Sequence, residues 1–232
     1  MTYDPKWLRA SYQVPSTYSV RVVVSSPLCG KALPTPGPAT VQLALIRSAI
    51  ELYGLAAARD SLFSHIVACN PLIQPPDMVA VTSQLQRVYK ADDSGRLIEG
   101  VGHREYCHCK GHIRIHLSVP NALMEEFAAL CRMIGYWGRN DSLACCTEVA
   151  SVQPEPGQYA QRFGELPPKL RVHNCFSAFA TELASPEITW ADIVPVNSIV
   201  AKSPVSPQLY MWPLVSSEPQ SSGPVLRFCS LL

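Results

Sequence analysis

The segment His103–Val119, HREYCHCKGHIRIHLSV, constrains the fold more than any other stretch of the chain. Its odd positions from 107 are Cys107, Cys109, Gly111, Ile113, Ile115, Leu117 and Val119. Its even positions are Arg104, Tyr106, His108, Lys110, His112, Arg114, His116 and Ser118. A strand sends successive side chains to opposite faces. One face is therefore apolar and packs on another layer. The other carries three fixed cations and no acid between 104 and 118. Polar residues face water on any half-buried strand, which accounts for the polarity but less well for its single sign. A bulge at Gly111 would swap the faces.

The surrounding pattern alternates strand and helix. YSVRVVVSS (18–26) has the β-branched density of a strand, and PLCGKALPTPGP (27–38) reads as a loop. TVQLALIRSAIELYG (40–54) places Val41, Leu45, Ile46 and Ile50 at helical spacing, with Gly54 as a stop; residues 55–70 read as a second helix. Strands follow at 78–90 and 97–119 around the turn ADDSGR. A helix at 122–135, a glycine-punctuated turn at 135–142 and a closing strand at 143–149 complete the set. The order β-α-(α)-β-β-α-β is the ferredoxin-like split βαβ pattern of an α+β fold. The hairpin around 83–103 is longer than a four-stranded core needs, and it carries Arg87, Lys90 and Arg96.

Proline divides the chain: 10 fall in residues 1–150 and 11 in 151–232. A boundary is expected near 150. It would separate a domain at 16–150 from an irregular carboxy-terminal extension with short strands, where Tyr210 and Trp212 are expected to be exposed. Charged residues are only 16% of the 232, against about 25% in an average soluble protein. That shortfall hints at surface covered by a partner. With 19 basic and 18 acidic residues, the net charge of +1 excludes a uniformly basic nucleic-acid binder but not a local basic face. Arg outnumbers Lys 13 to 6, which points weakly to planar phosphate or carboxylate contacts.

MTYDPKWLRASYQ lacks the apolar core of a leader, and no apolar run approaches the ~18–20 residues of a membrane span. Nine scattered cysteines then read as reduced, mostly buried thiols of a cytoplasmic protein.

A sheet with one packed face and one cationic, aromatic face suits single-stranded RNA, with charges holding phosphates and flat groups stacking on bases. Three other readings stay open. Cys107-His108-Cys109 with His112 and His116 has zinc-ligand types, but only the His pair has ligand spacing, so inert buried cysteines are the better reading and no metal is expected. Tyr106, His108 and Lys110 share a strand face and could support metal-free RNA cleavage, with His as base and Lys stabilising charge. The chain could also be a protein-only interaction subunit. Nucleotide-binding and hydrolase signatures are absent, so no cofactor is expected.

Four segments carry a resemblance to a known family. They are YSVRVVVSSPLCGKALPTPGPATVQLALIRSAIELYG, the hairpin 83–103, HREYCHCKGHIRIHLSVP, and LMEEFAALCRMIGYWGRNDSLACCTEV. Across residues 16–150 the chain resembles the CRISPR-associated RAMP-type subunit that caps the 5′ end of the guide RNA in Cascade-type, type I-D-like effector complexes. The resemblance implies an RRM-like core with the hairpin as a thumb. It implies a non-catalytic subunit that binds the 5′ handle of the crRNA near target DNA, contacting a repeating backbone subunit and a large subunit, without a membrane. It adds Lys31, in the loop after the expected first strand, and Arg139, in the turn Tyr136-Trp137-Gly138-Arg139, to the RNA contacts. The full set is Lys31, Arg87, Lys90, Arg96, Arg104, Tyr106, His108, Lys110, Arg114, His116 and Arg139. Charge reversal at Arg104 and Arg114 is expected to abolish handle binding.

Overall fold

A computed structural model of the chain describes residues 5–25, 29–92, 94–138, 140–165, 175–183, 188–193, 204–221 and 223–228. Its first strand, β1 (Pro5–Gln13), lies ahead of the one expected. Leu8, Ala10 and Tyr12 alternate along it and are buried. β1 sits inside a four-stranded antiparallel sheet of order β4-β7-β1-β8, made with β4 (Leu72–Gln74), β7 (Ile113–Pro120) and β8 (Cys145–Ser151). Two helical crossovers connect it. The first, from β1 to β4, uses α1 (Pro38–Ala57), a π-helical turn at 58–62 and α2 (Phe63–Ala68). The second, from β7 to β8, uses α3 (Met124–Met133). This is the expected ferredoxin-like split βαβ core.

Periodicity explains the packing. Ile113, Ile115, Leu117 and Val119 of β7 are buried with Val41, Leu45, Ile46 and Ala49 of α1 and Phe127, Leu130 and Cys131 of α3. Each such aliphatic side chain contributes roughly 1.5–3 kcal/mol on leaving water. The Tyr12 hydroxyl donates to the Cys131 carbonyl at 2.8 Å, and its ring meets Trp137 edge-on at 4.9 Å. The helical stretch Pro38–Ala68 is long and apolar enough to cross a membrane. Its first half, up to Ala49, packs into the core, whereas Leu52, Tyr53 and Leu55 are exposed and Gly54 (φ +82°) interrupts the helical backbone.

The stretch expected as one strand at 97–119 is two strands in two sheets. β6 (Leu97–Lys110) ends at Gly111, where φ is +91°. A Cβ there would stand 2.7 Å from Asp77 Oδ2 at a left-handed φ, so any other residue strains the turn. β6 pairs with β5 (Met78–Ala91) over 14 residues. The hairpin is an insertion between β4 and β7 of the first sheet, and its foot seeds the second. That sheet runs β10-β11-β12-β5-β6-β2, with β2 (Thr17–Tyr18), β10 (Cys175–Leu183), β11 (Val205–Glu218) and β12 (Val225–Phe228). The short β3 (Cys29–Gly30) runs parallel to β6, and β9 (Gln161–Arg162) pairs with β11.

Two expectations are corrected here. Residues 18–26 do not enter the first sheet: β2 joins the second, and residues 20–22 pair locally with 31–33, Val22 N donating to Lys31 O and Leu33 N to Val20 O, both at 2.8 Å. The β-branched run thus finds its partner nearby. Residues beyond 150 are no irregular extension laid over a finished domain. β12 pairs with β5, and Trp212 and Tyr210, expected exposed, are 1% and 8% exposed. Trp212 Nε1 donates to Thr35 Oγ1 at 2.9 Å, joining the carboxy-terminal strands to the loop before α1.

Candidate nucleic-acid interface

The turn at Gly111 divides the expected cationic face between the two sheets. Arg114 and His116 lie on the outer face of the first sheet, away from the helices. That face is not open. After β8 the chain runs back across it: Val152 N donates to Trp7 O at 3.2 Å, Gln158 Oε1 accepts from Gln74 Nε2 at 3.1 Å, and Ala160 N donates to Ile73 O at 2.8 Å. Residues 152–160 therefore strap the face from β1 to the edge of β4. His116 is 5% exposed beneath the strap, with its Nδ1 buried and without a hydrogen-bond partner among the described residues. Burial, then the nearby Arg9 and Arg114 cations, push its pKa down to about 4, so its ring is neutral at pH 7. Arg114 is half-buried, opposite Ser11 and Gln74. The reading of His116 as an exposed RNA contact is corrected by this cover.

The remaining even positions belong to β6. His108 and Lys110 are exposed at the foot of the hairpin, with His108 Nε2 3.3 Å from Thr82 Oγ1. Tyr106 is not on an open face: it is 7% exposed, and the Gln86 side-chain amide donates to its hydroxyl. Arg104 is half-buried beside Gly30 of β3. A Cβ on Gly30 would meet the Arg21 stem at 3.5 Å and Arg104 Nε at 4.0 Å, so both arginines close over that glycine. Arg21 is exposed and was missed in the sequence, where it sat inside an expected core strand. Its polar position among valines in SVRVVV was the available signal. Lys31 is exposed one residue past β3.

Among the described residues, no carboxylate forms an ion pair with Arg21, Lys31, Arg104 or Lys110. The hairpin differs. Arg87 is exposed but pairs with Glu99 at 3.3 Å. The Arg96 backbone N–H donates to Asp92 Oδ1 at 2.8 Å, and its side chain is exposed. Lys90 pairs with Ile98 in the ladder, and Arg139 lies outside the described residues. Between 83 and 103 three cations are balanced by Asp92, Asp93 and Glu99. Leu85, Tyr89, Leu97 and Val101 share one face there, between 60% and 75% exposed. The unbalanced charge thus gathers at the hairpin's foot, while its outer half is electrically neutral, its exposed apolar side chains sharing a face with the Arg87–Glu99 pair.

The zinc-type residues do not converge. Cys107 and Cys109 point to the packed side of β6, where burial pushes the Cys109 thiol up to about 12 and Cys107 well above its ordinary value. His112 sits in the turn and His116 under the strap. Among the described residues no three potential ligands come together.

Fold and site together define a class: a ferredoxin-like core with a long inserted hairpin, a second sheet, and a basic strip where the two meet. The resemblance to CRISPR-associated RAMP-type subunits is borne out by a curated relative. The CRISPR-associated protein Cas5 of Archaeoglobus fulgidus is 22% identical over 155 residues, 65% of this chain and 67% of that protein. No family model matches the chain. Three solved structures are similar. A CRISPR protein from Archaeoglobus fulgidus is 13% identical at a TM-score of 0.45, covering 97% of this chain and 92% of its own. A chain of a CRISPR RNA-guided surveillance complex is 11% identical at 0.45, covering 90% of each. A chain of the type III-B Cmr-beta complex bound to cognate target RNA is 6% identical at 0.45, covering 64% of this chain and 61% of that one.

Proposed function

We propose that this chain is a non-catalytic, cytoplasmic RNA-binding subunit of a Cascade-type CRISPR complex. In this reading it holds the 5′ handle of the guide RNA and contacts the repeating backbone subunit, the large subunit and, through them, target DNA. One observation carries the reading: Arg21, Lys31, Arg104 and Lys110 have no acidic partner among the described residues at the foot of an exposed 14-pair hairpin. Phosphates supply the missing charge, and a sheet with cations and a histidine at its rim suits a single strand. The curated relative's name supports the CRISPR setting. The non-catalytic part is supported by Tyr106, which is buried with its hydroxyl held by Gln86, so the tyrosine is withdrawn from the open face that His108 and Lys110 keep.

Charge reversal tests the reading with an internal contrast. R104E/K110E is expected to abolish binding of repeat-derived RNA in a mobility-shift assay. R114E, on the strapped face, is expected to lower thermal stability while folded protein still binds. Equal loss of binding in the two would move the RNA onto the first sheet and overturn this placement.

A further inference from the structure

Between the 20–22/31–33 ribbon, the foot of β5 and β6, and β10 lies a cavity of about 370 Å³. That is within the ~300–1,000 Å³ range of small-ligand sites. Val22, Val81, Phe176 and Phe179 wall it, and only Lys31 and Glu105 bring charge to it. The two charges form no ion pair with each other or with any other described residue. Glu105 is nevertheless held in place: its Oε2 accepts from the Ala32 N–H at 3.0 Å. Its Oε1 has no partner among the described residues. Phe176 is fixed from behind by Trp212, edge-on at 5.7 Å.

We infer that this cavity is a guanine pocket, receiving one unstacked base of the bound RNA. The inference deepens the proposed function and rests on it. The ring lies among Phe176, Phe179 and the two valines, as unstacked bases do on aromatic walls. Lys31 at the rim holds the base's own phosphate. Glu105 makes the selection. An ionised carboxylate only accepts hydrogen bonds. Guanine offers it two adjacent donors, N1–H and the N2 amino group. Adenine and cytosine offer one amino group beside an acceptor nitrogen that the carboxylate repels. Uracil offers one imino N–H flanked by two carbonyl oxygens. A paired donor edge on a carboxylate is thus satisfied only by guanine, and a bidentate base contact of this kind discriminates by about tenfold or more.

The test is isothermal titration of the full chain at low salt with 5′-GMP, AMP, CMP and UMP. In parallel, an eight-residue oligouridine is compared with the same oligomer carrying one central guanosine. GMP is expected to bind about tenfold more tightly than the other three, and the guanosine oligomer more tightly than oligouridine. Glu105→Gln still accepts from Ala32 N–H, so the protein folds, which its melting temperature checks; it should bind GMP no better than AMP. Equal affinity for all four nucleotides, or a guanine preference intact in Glu105→Gln, overturns the pocket. If oligouridine binds and guanosine adds nothing, the pocket fails and the RNA reading stands. If no RNA binds at any salt, both fail.

Discussion

The four cations without an acidic partner among the described residues set a slope that can be measured. If Arg21, Lys31, Arg104 and Lys110 each neutralise one phosphate of a single strand, log K should fall against log salt with a slope of about −2.8, at ~0.7 per contact. Between roughly 50 and 200 mM salt that is a loss of about fiftyfold in affinity. Removing the pair that closes over Gly30, Arg21→Ala with Arg104→Ala, should halve the slope to about −1.4 and the loss to about sevenfold. Arg59 already pairs with Asp60 at 2.7 Å on the π-helical turn, so Arg59→Ala should leave the slope unchanged. Fluorescence anisotropy of a labelled repeat-derived RNA over a salt series measures all three proteins. A wild-type slope shallower than about −1, or a slope untouched by the double substitution, refutes the assignment of these side chains to phosphates.

Other outcomes follow from the packing. Gly111→Ala must place a Cβ at positive φ against the Asp77 carboxylate, and should cost about 1–3 kcal/mol in urea unfolding. Trp212→Ala empties a fully buried site and strands Thr35, so a loss of about 3–5 kcal/mol is expected. Truncation after residue 150 should leave no cooperative thermal transition, because β5 loses its β12 neighbour. His116 binds its proton more weakly folded, at about 4, than unfolded, at ~6.5. Its contribution is therefore complete above pH ~6.5 and is lost as pH falls toward 4, up to about 3 kcal/mol. His116→Gln should flatten the fall over that window relative to wild type in pH-dependent urea melts; identical pH profiles would show that the strap does not hold the ring neutral.

The core topology was legible because its helices and β7 carry clean periods. Val41, Leu45 and Ile46, then Phe127 and Leu130, and the alternating isoleucines of β7 all pack where their spacing puts them. β1 is hard to see in the sequence because its buried set, Leu8, Ala10 and Tyr12, is interleaved with Arg9 and Ser11 and follows Pro5 and Lys6. β4 was invisible as a strand: three residues between prolines at 71 and 75 form an edge, held by β7 and Ala160. The cationic face was read correctly as alternation and wrongly as one surface. Nothing in a period of two says that a chain changes sheets at Gly111, since both strands keep the same phase across the turn. Nor does proline density show that β10–β12 complete the hairpin's sheet, because Trp212 and Phe228 are buried by strands distant in sequence.

The most direct test of the central claim uses the protein in its natural assembly. The chain would be co-expressed with its neighbouring genes and a repeat-spacer array, purified, and the bound nucleic acid extracted and sequenced. A discrete RNA with a uniform repeat-derived 5′ end, lost from the R104E/K110E assembly, is the predicted result. An assembly that purifies intact and free of RNA would contradict the account and make this chain a protein-only scaffold.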